Sequence, residues 1–366
     1  MTQLSTHRQP RRLILPSLLL TLAAASVPAQ AGMLPTLAAY GADPGQTSVS
    51  GMSSGAFMAA QFSVAFSASV VGAGIVAGGP FYCAGLFAPT LPAQAASSAC
   101  MTPLGSSGPR ASAALQFAGA FAEQGRIDSL SGLARQKIYI FSGSKDPVVK
   151  QKVVDQTAKF FALAGVKPAN LKYVNTIAAG HALLTDSPGD SACGTTAAPF
   201  INNCGYRQAN EILSWIYGPL QKTEDRPAGQ LTMFDQAPFD PAGAATLGPI
   251  GYVYVPDACE KAACRIHVAF HGCLQGEGKL GDRYARTTGY NEAAASNRII
   301  VLYPQVAASS RNPLGCWDFW GYTAPADTLH PDFYSKQAPQ HAAIANMLKR
   351  LSETRPSPDQ PKEPKE

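Results

Sequence analysis

The chain has 366 residues, 29 Lys and Arg against 24 Asp and Glu, and a formal net charge of +5. Three of the basic residues, Arg8, Arg11 and Arg12, precede the apolar run LILPSLLLTLAAASV and the small residues AQA before Gly32, the three-part pattern of a secretory signal peptide over residues 1–31 with cleavage expected after Ala31. The remainder balances 26 basic against 24 acidic residues, which excludes an electrostatic footprint for nucleic acid or anionic membrane, and no later apolar stretch is long enough for a membrane span.

From its beginning the exported part alternates strand-like and helix-like segments. A strand runs into Ser50, a helix starts near Gly55, and VVGAGIVAGG at 70–79 reads as a strand. Helical residues follow near 111–135, then a strand KIYIFSG (137–143), a helix KVVDQTAKFFALAG (152–165), a strand LKYVNTI (171–177) and a helix YRQANEILSWIYG (206–218). This alternation predicts an α/β fold with a parallel sheet covered on both faces. Past Pro219 and DRPAG come the strands LTMFDQ, GYVYVP and RIHVAFHG, a helix at about 282–296, the strand RIIVLYPQ, an aromatic loop NPLGCWDFWGY and a helix QHAAIANMLKRL. The second part has too few elements to fold alone. A single catalytic domain over residues 32–351 is therefore expected, with a Pro-rich, charged tail over 352–366 predicted to be disordered.

All eight cysteines lie in the exported part, and an even count in an oxidising compartment predicts disulfides. Short-range closure favours Cys83 with Cys100, Cys193 with Cys204 and Cys259 with Cys264, leaving Cys273 with Cys316. No metal site is expected. The sequence lacks a C-x2-C pair, and the His267/His271 spacing in HVAFH falls on a strand and lacks the glutamate of a zinc helix.

Gly51-Met52-Ser53-Ser54-Gly55 is the one G-x-S-x-G of the chain, placed between a strand and an apolar helix as a nucleophile elbow requires. The competing reading of Ser53 is a serine that caps the helix N-terminus. A serine nucleophile needs a base, and of the exported histidines His267 lies inside a strand, His271 opens a His-Gly turn, His330 adjoins Pro331 and His341 begins a helix. His181, in the loop AAGHALLTD after a strand, is the candidate base. Asp146, after the preceding strand in IYIFSGSKDPVV, is the candidate acid, ahead of Asp155, Asp186 and Asp190. The order Ser53, Asp146, His181 is that of an α/β-hydrolase triad. For the oxyanion hole, one amide should come from Ser54, the residue after the nucleophile, and one from the loop His271-Gly272-Cys273. That loop normally precedes the nucleophile and here follows it by more than two hundred residues. Circular permutation accounts for this: joining Leu351 to the region before Gln46 would restore the usual order.

The stretches VSGMSSGAFMAAQFSVAFS, AGGPFYCA, INNCGYRQANEILSWIYGPL, GYVYVP, VAFHGCLQG, YNEAAASNRIIVLYPQ and NPLGCWDFWGY resemble secreted poly(3-hydroxybutyrate) depolymerases with the type 2 catalytic domain, over nearly all of residues 46–351. The resemblance implies a circularly permuted α/β-hydrolase without cofactor that cleaves a polyester polymer or its oligomers. Ser53, Asp146 and His181 would be the triad, Ser54 and Cys273 the oxyanion donors, and Trp317 part of the cleft that holds the polyester. Many secreted members carry a linker and a polymer-binding domain after the catalytic one. Here about fifteen residues follow, so amorphous granules or soluble oligomers are the expected substrates. A secreted or periplasmic monomer is expected. A general carboxylesterase or feruloyl-type esterase would use the same triad, while a granule-binding protein on a dead scaffold would lack a triad member.

Overall fold

The computed structural model describes Thr2 and residues 34–88, 90–221, 228–325 and 330–355. The leader, apart from Thr2, and the tail beyond Arg355 lie outside the described residues. Strands β1 (Thr47–Met52), β2 (Val70–Val76), β3 (Lys137–Phe141) and β4 (Leu171–Val174) alternate with helices α1 (Ser54–Ala65), α2 (Pro92–Ser97), α3 (Ala111–Glu123) and α4 (Gln151–Leu163). Three very short strands follow, β5 (Leu183–Thr185), β6 (Ser191–Ala192) and β7 (Ile201–Asn203), then α5 (Gln208–Tyr217). The second part supplies β8 (Gly229–Asp235), β9 (Ile250–Pro256), β10 (Arg265–Phe270), the short helices α6 (Glu277–Leu280), α7 (Arg283–Thr287) and α8 (Tyr290–Ala295), then β11 (Ile299–Tyr303) and α9 (Pro339–Ser352).

Eight strands form one sheet in the order β4-β3-β2-β1-β10-β11-β9-β8. From β4 to β11 every pairing is parallel, while β9 runs antiparallel to both β11 and β8. Parallel strands need both faces covered. On one face Val49, Val268 and Phe270 pack with Phe57 and Phe62 of α1, Ala114 of α3, Val153 and Phe160 of α4 and Ile344 and Met347 of α9. On the other, Val76, Tyr139 and Val301 pack with Ile212, Leu213 and Ile216 of α5 and Tyr290 and Ala294 of α8. Every residue of α1 is buried, as a helix apolar around its whole circumference must be.

Strand β1, which leads into the candidate nucleophile Ser53, lies between its sequence neighbour β2 and β10, which comes more than two hundred residues later. The strand leading to the His271-Gly272-Cys273 loop is thus beside the strand leading to Ser53, although the chain reaches it late. Tyr40 and Ala42 both donate their amides to Leu351 O, each at 3.1 Å, and Arg350 Nε donates to Leu37 O at 2.9 Å. The two ends therefore meet where a relinked chain would restore the usual order: the fold is a circularly permuted α/β-hydrolase.

Several boundaries differ from the sequence expectation. The helical residues near 111–135 end as α-helix at Glu123, and Leu130–Arg135 is a 3-10 turn. The helix expected at 282–296 is two, because Gly289 at φ 86° turns the chain between α7 and α8. The strand at 171–177 stops at Val174, and the freed residues lead into the loop that carries His181.

Candidate active site

The sheet delivers its chemistry at the carboxyl ends of the parallel strands. Ser53 follows β1, Asp146 follows β3, His181 follows β4 and the His271-Gly272-Cys273 loop follows β10.

Ser53 sits at φ 56°, ψ −122°, a backbone conformation costly for any residue with a Cβ. The turn closes because Gly51 and Gly55 touch: a Cβ on Gly51 would lie 2.2 Å from Gly55 O, and one on Gly55 would lie 2.3 Å from Phe270 O. The strain is held by backbone bonds, with Ser53 N donating to Val76 O at 2.9 Å and Ser53 O accepting from Ala56 N and Phe57 N. The Ser53 side chain makes no cap bond to the helix, so the capping role does not explain it.

Asp146 is nearly buried, and both of its oxygens are assigned. Oδ1 accepts from Val148 N at 2.7 Å and Val149 N at 3.0 Å, and Oδ2 accepts from His181 Nδ1–H at 2.7 Å. The backbone bonds fix the carboxylate, and the carboxylate fixes the imidazole tautomer, leaving His181 Nε2 as the basic nitrogen. His181 N donates to Thr196 Oγ1 at 2.9 Å, which anchors the loop.

The other buried histidines are occupied differently. His267 bonds Ser48 Oγ and Ser50 Oγ, both at 2.7 Å, in a polar row beneath β1, and burial pushes its pKa down to about 3. His271 donates from Nδ1 to Gly272 O at 2.8 Å and accepts from Val306 N at Nε2, and burial lowers it to about 4. His341 donates to Ser335 O and is likewise lowered to about 4 by burial.

Neither Ser54 N nor Cys273 N donates to another described residue. The neighbouring amides are committed: Gly272 N donates to Gln275 Oε1 at 2.7 Å and Leu274 N to Leu314 O at 2.8 Å. Cys273 pairs with Cys316, and the other disulfides join Cys83 to Cys100, Cys193 to Cys204 and Cys259 to Cys264, the partners that proximity favours. A Cβ on Gly272 would come within 3.3 Å of Ser53 Cβ, so the His271-Gly272-Cys273 loop lies directly against the turn at Ser53.

Trp317 is not on the lip of a cleft. It is 0% exposed, its ring packs against Phe270 and His271, and its amide donates to Ser54 Oγ at 3.2 Å. The loop folds inward around Asp318, whose carboxylate accepts the amides of Trp320, Gly321, Tyr322 and Thr323. Trp317 thus forms a floor beneath the His271-Gly272-Cys273 loop, and the half-buried Phe200 and Leu274 supply apolar surface near His181 and Cys273. Gln275, which no sequence pattern singles out, is wholly buried beside the elbow.

A strained serine after the central strand of such a sheet, with an Asp-His pair two and three strands away, defines the class as α/β-hydrolases of the serine ester hydrolase type. No family model matches the sequence. The chain is 40% identical over 317 residues to a poly(3-hydroxybutyrate) depolymerase of Delftia acidovorans, a match covering 85% of this chain and 60% of that protein's length. It is 35% identical over 351 residues to a polyhydroxybutyrate depolymerase of Talaromyces funiculosus, covering 91% of this chain and 96% of the relative. Two solved structures superpose with a TM-score of 0.76, covering 87% of this chain and 98% of each. One, 32% identical, is a PHB depolymerase with a serine-to-alanine substitution in complex with an R3HB trimer; the other, 33% identical, is the PHB depolymerase from Penicillium funiculosum. The chain belongs to the polyhydroxybutyrate depolymerase family of carboxylic ester hydrolases.

Proposed function

We propose that the chain is an exported serine esterase that hydrolyses ester bonds of poly(3-hydroxybutyrate) or its oligomers through an acyl-enzyme, with residues 1–31 as the removed leader and 32–351 as the catalytic domain. The strained, uncapped Ser53 carries the reading. His181 Nε2 takes the hydroxyl proton as Ser53 Oγ attacks the ester carbonyl, and Asp146 holds the resulting imidazolium in place. The carbonyl oxygen gains negative charge and is received by the Ser54 and Cys273 amides. Collapse of the intermediate expels the hydroxyl end of the product, protonated by His181, and water repeats the sequence to release the carboxylate end. The R3HB trimer bound by the structural relative supports a 3-hydroxybutyrate substrate. Four disulfides support export, and among the described residues no helix is long and apolar enough to cross a membrane.

The test compares amorphous poly(3-hydroxybutyrate), 3-hydroxybutyrate oligomers, feruloyl esters and p-nitrophenyl butyrate, with a fluorophosphonate label mapped by peptide. Label on Ser53 and preference for the hydroxybutyrate substrates are expected. Label elsewhere overturns the assignment of the nucleophile, and preference for feruloyl esters overturns the substrate class.

A further inference from the structure

The oxyanion loop and the histidine loop come from distant parts of the chain, yet one side chain joins them. Gln275 is 0% exposed. Its Oε1 accepts from Gly272 N at 2.7 Å, and its Nε2 donates to Pro199 O at 3.0 Å and Phe200 O at 3.1 Å. Phe200 O also accepts from Leu183 N at 3.0 Å, two residues past His181, and Thr196 of the same loop accepts from His181 N. The amide side chain therefore has one end on the residue before the Cys273 donor and the other on the segment that holds the base.

These bonds also decide which amide is free. With Gly272 N committed to Gln275, the loop presents Cys273 N, and Gly272 is wedged between Gln275 Oε1 and the elbow, since a Cβ there would meet Oε1 at 2.8 Å and Met52 O at 3.2 Å. The donor and acceptor demands are polarised: a glutamine supplies an acceptor toward Gly272 and two N–H donors toward the carbonyls, which a glutamate or methionine does not.

We propose that Gln275 is a positioning residue for the ester-cleavage step, a strut that holds the Cys273 amide and the His181 loop in one register. The proposal rests on Ser53 being the nucleophile. A misplacement of about 1 Å is enough to cost on the order of 10²-fold in rate, and loss of a whole oxyanion donor costs about 10²–10³-fold. Gln275→Glu keeps the acceptor and loses both donors; Gln275→Met keeps the length and loses both functions. Each is expected to lower kcat on p-nitrophenyl butyrate about 10- to 100-fold with little change in KM.

The experiment refers kcat to active sites titrated with a fluorophosphonate, so that a loss of folded protein does not enter, and measures inhibition by butylboronic acid, whose tetrahedral adduct places an oxygen in the oxyanion hole. The boronate Ki is expected to rise by the factor by which kcat/KM falls. A kcat per titrated site within about twofold of wild type in Gln275→Glu, or a rate loss with the boronate Ki unchanged, overturns the proposal. Ser53→Ala is assayed alongside. If it stays active the nucleophile assignment fails, whereas a dead Ser53→Ala with fully active Gln275 variants refutes the strut alone.

Discussion

Removing the Cys273–Cys316 bridge separates a stability effect from a catalytic one. The bridge closes a loop of 43 residues that contains no other disulfide, and chain entropy sets its contribution at about 4 kcal/mol. Its catalytic effect follows from Cys273 bearing a free amide against the elbow while Cys316 precedes the buried Trp317. The two segments keep one backbone bond, Leu274 N to Leu314 O at 2.8 Å, so the loop is loosened rather than released. The double substitution Cys273→Ser, Cys316→Ser, which leaves no lone thiol, is therefore expected to slow p-nitrophenyl butyrate hydrolysis about 10- to 100-fold, below the cost of losing an oxyanion donor outright. Urea unfolding measures the first effect, and kcat per titrated active site measures the second. Lower stability with kcat within twofold of wild type would refute the claim that the bridge positions the donor.

Ser53→Ala is expected to lower kcat by about 10⁴- to 10⁶-fold, His181→Ala comparably, and their double mutant little further, because nucleophile and base act as a unit; additive losses would contradict the pairing. Asp146→Asn is expected to cost about 10⁴-fold by releasing the imidazole tautomer, read from pre-steady-state or steady-state rates on the same ester. Trp317→Ala removes a buried floor, so stability should fall by about 3–5 kcal/mol and small-ester and oligomer rates should fall together; a loss confined to oligomers would restore a surface role. Stability should also decline on acidification: His267, His271 and His341 stay neutral when folded, with pKa values of about 3, 4 and 4, while unfolded histidine titrates near about 6.5. The unfolded chain thus binds more protons below about pH 6.5, and each histidine removes up to about 1.4 kcal/mol per pH unit, partly opposed by Glu292 and Asp318, whose carboxyl pKa values burial raises. Urea midpoints flat from pH 7 to pH 5 would contradict this.

The residues legible in the sequence are those whose roles are set by local backbone. Ser53 stands out because a strained strand-to-helix turn demands Gly51 and Gly55, and Asp146 and His181 because each follows a strand by a few residues. The disulfides were legible where the chain returns quickly on itself. The resemblance implies a cleft position for Trp317, whereas the Asp318 carboxylate gathers four successive amides and turns the loop inward, so the ring is buried. The small sheet of β5, β7 and β6 escaped because strands of two or three residues show no periodicity. Gln275 escaped because its function depends on contacts 75 and 76 residues away.

Permutation alters the order in which the chain supplies the site without moving the site. The ends meet near Asp43, whose amide donates to Cys264 O just before β10, and so at the amino-terminal edge of the sheet. Ser53 lies at the opposite end of β1, about 20 Å away at the ordinary rise of a strand. A cut at that edge leaves the order Ser53, Asp146, His181 intact and transfers only Cys273, the proposed second oxyanion donor, to the far part of the chain. That donor must then be tied to the elbow by contacts rather than by sequence. Three contacts brace this region: the Cys273–Cys316 bridge beneath the loop, the Gln275 amide to the histidine loop, and Gln61 of α1, whose Nε2 donates to Asp318 O and Phe333 O, each at 3.1 Å. Gln61 joins the helix after the elbow directly to residues beyond 270, while the bridge and Gln275 brace the loop against Cys316 and the histidine loop, and together they do the work that chain continuity would do in the unpermuted order.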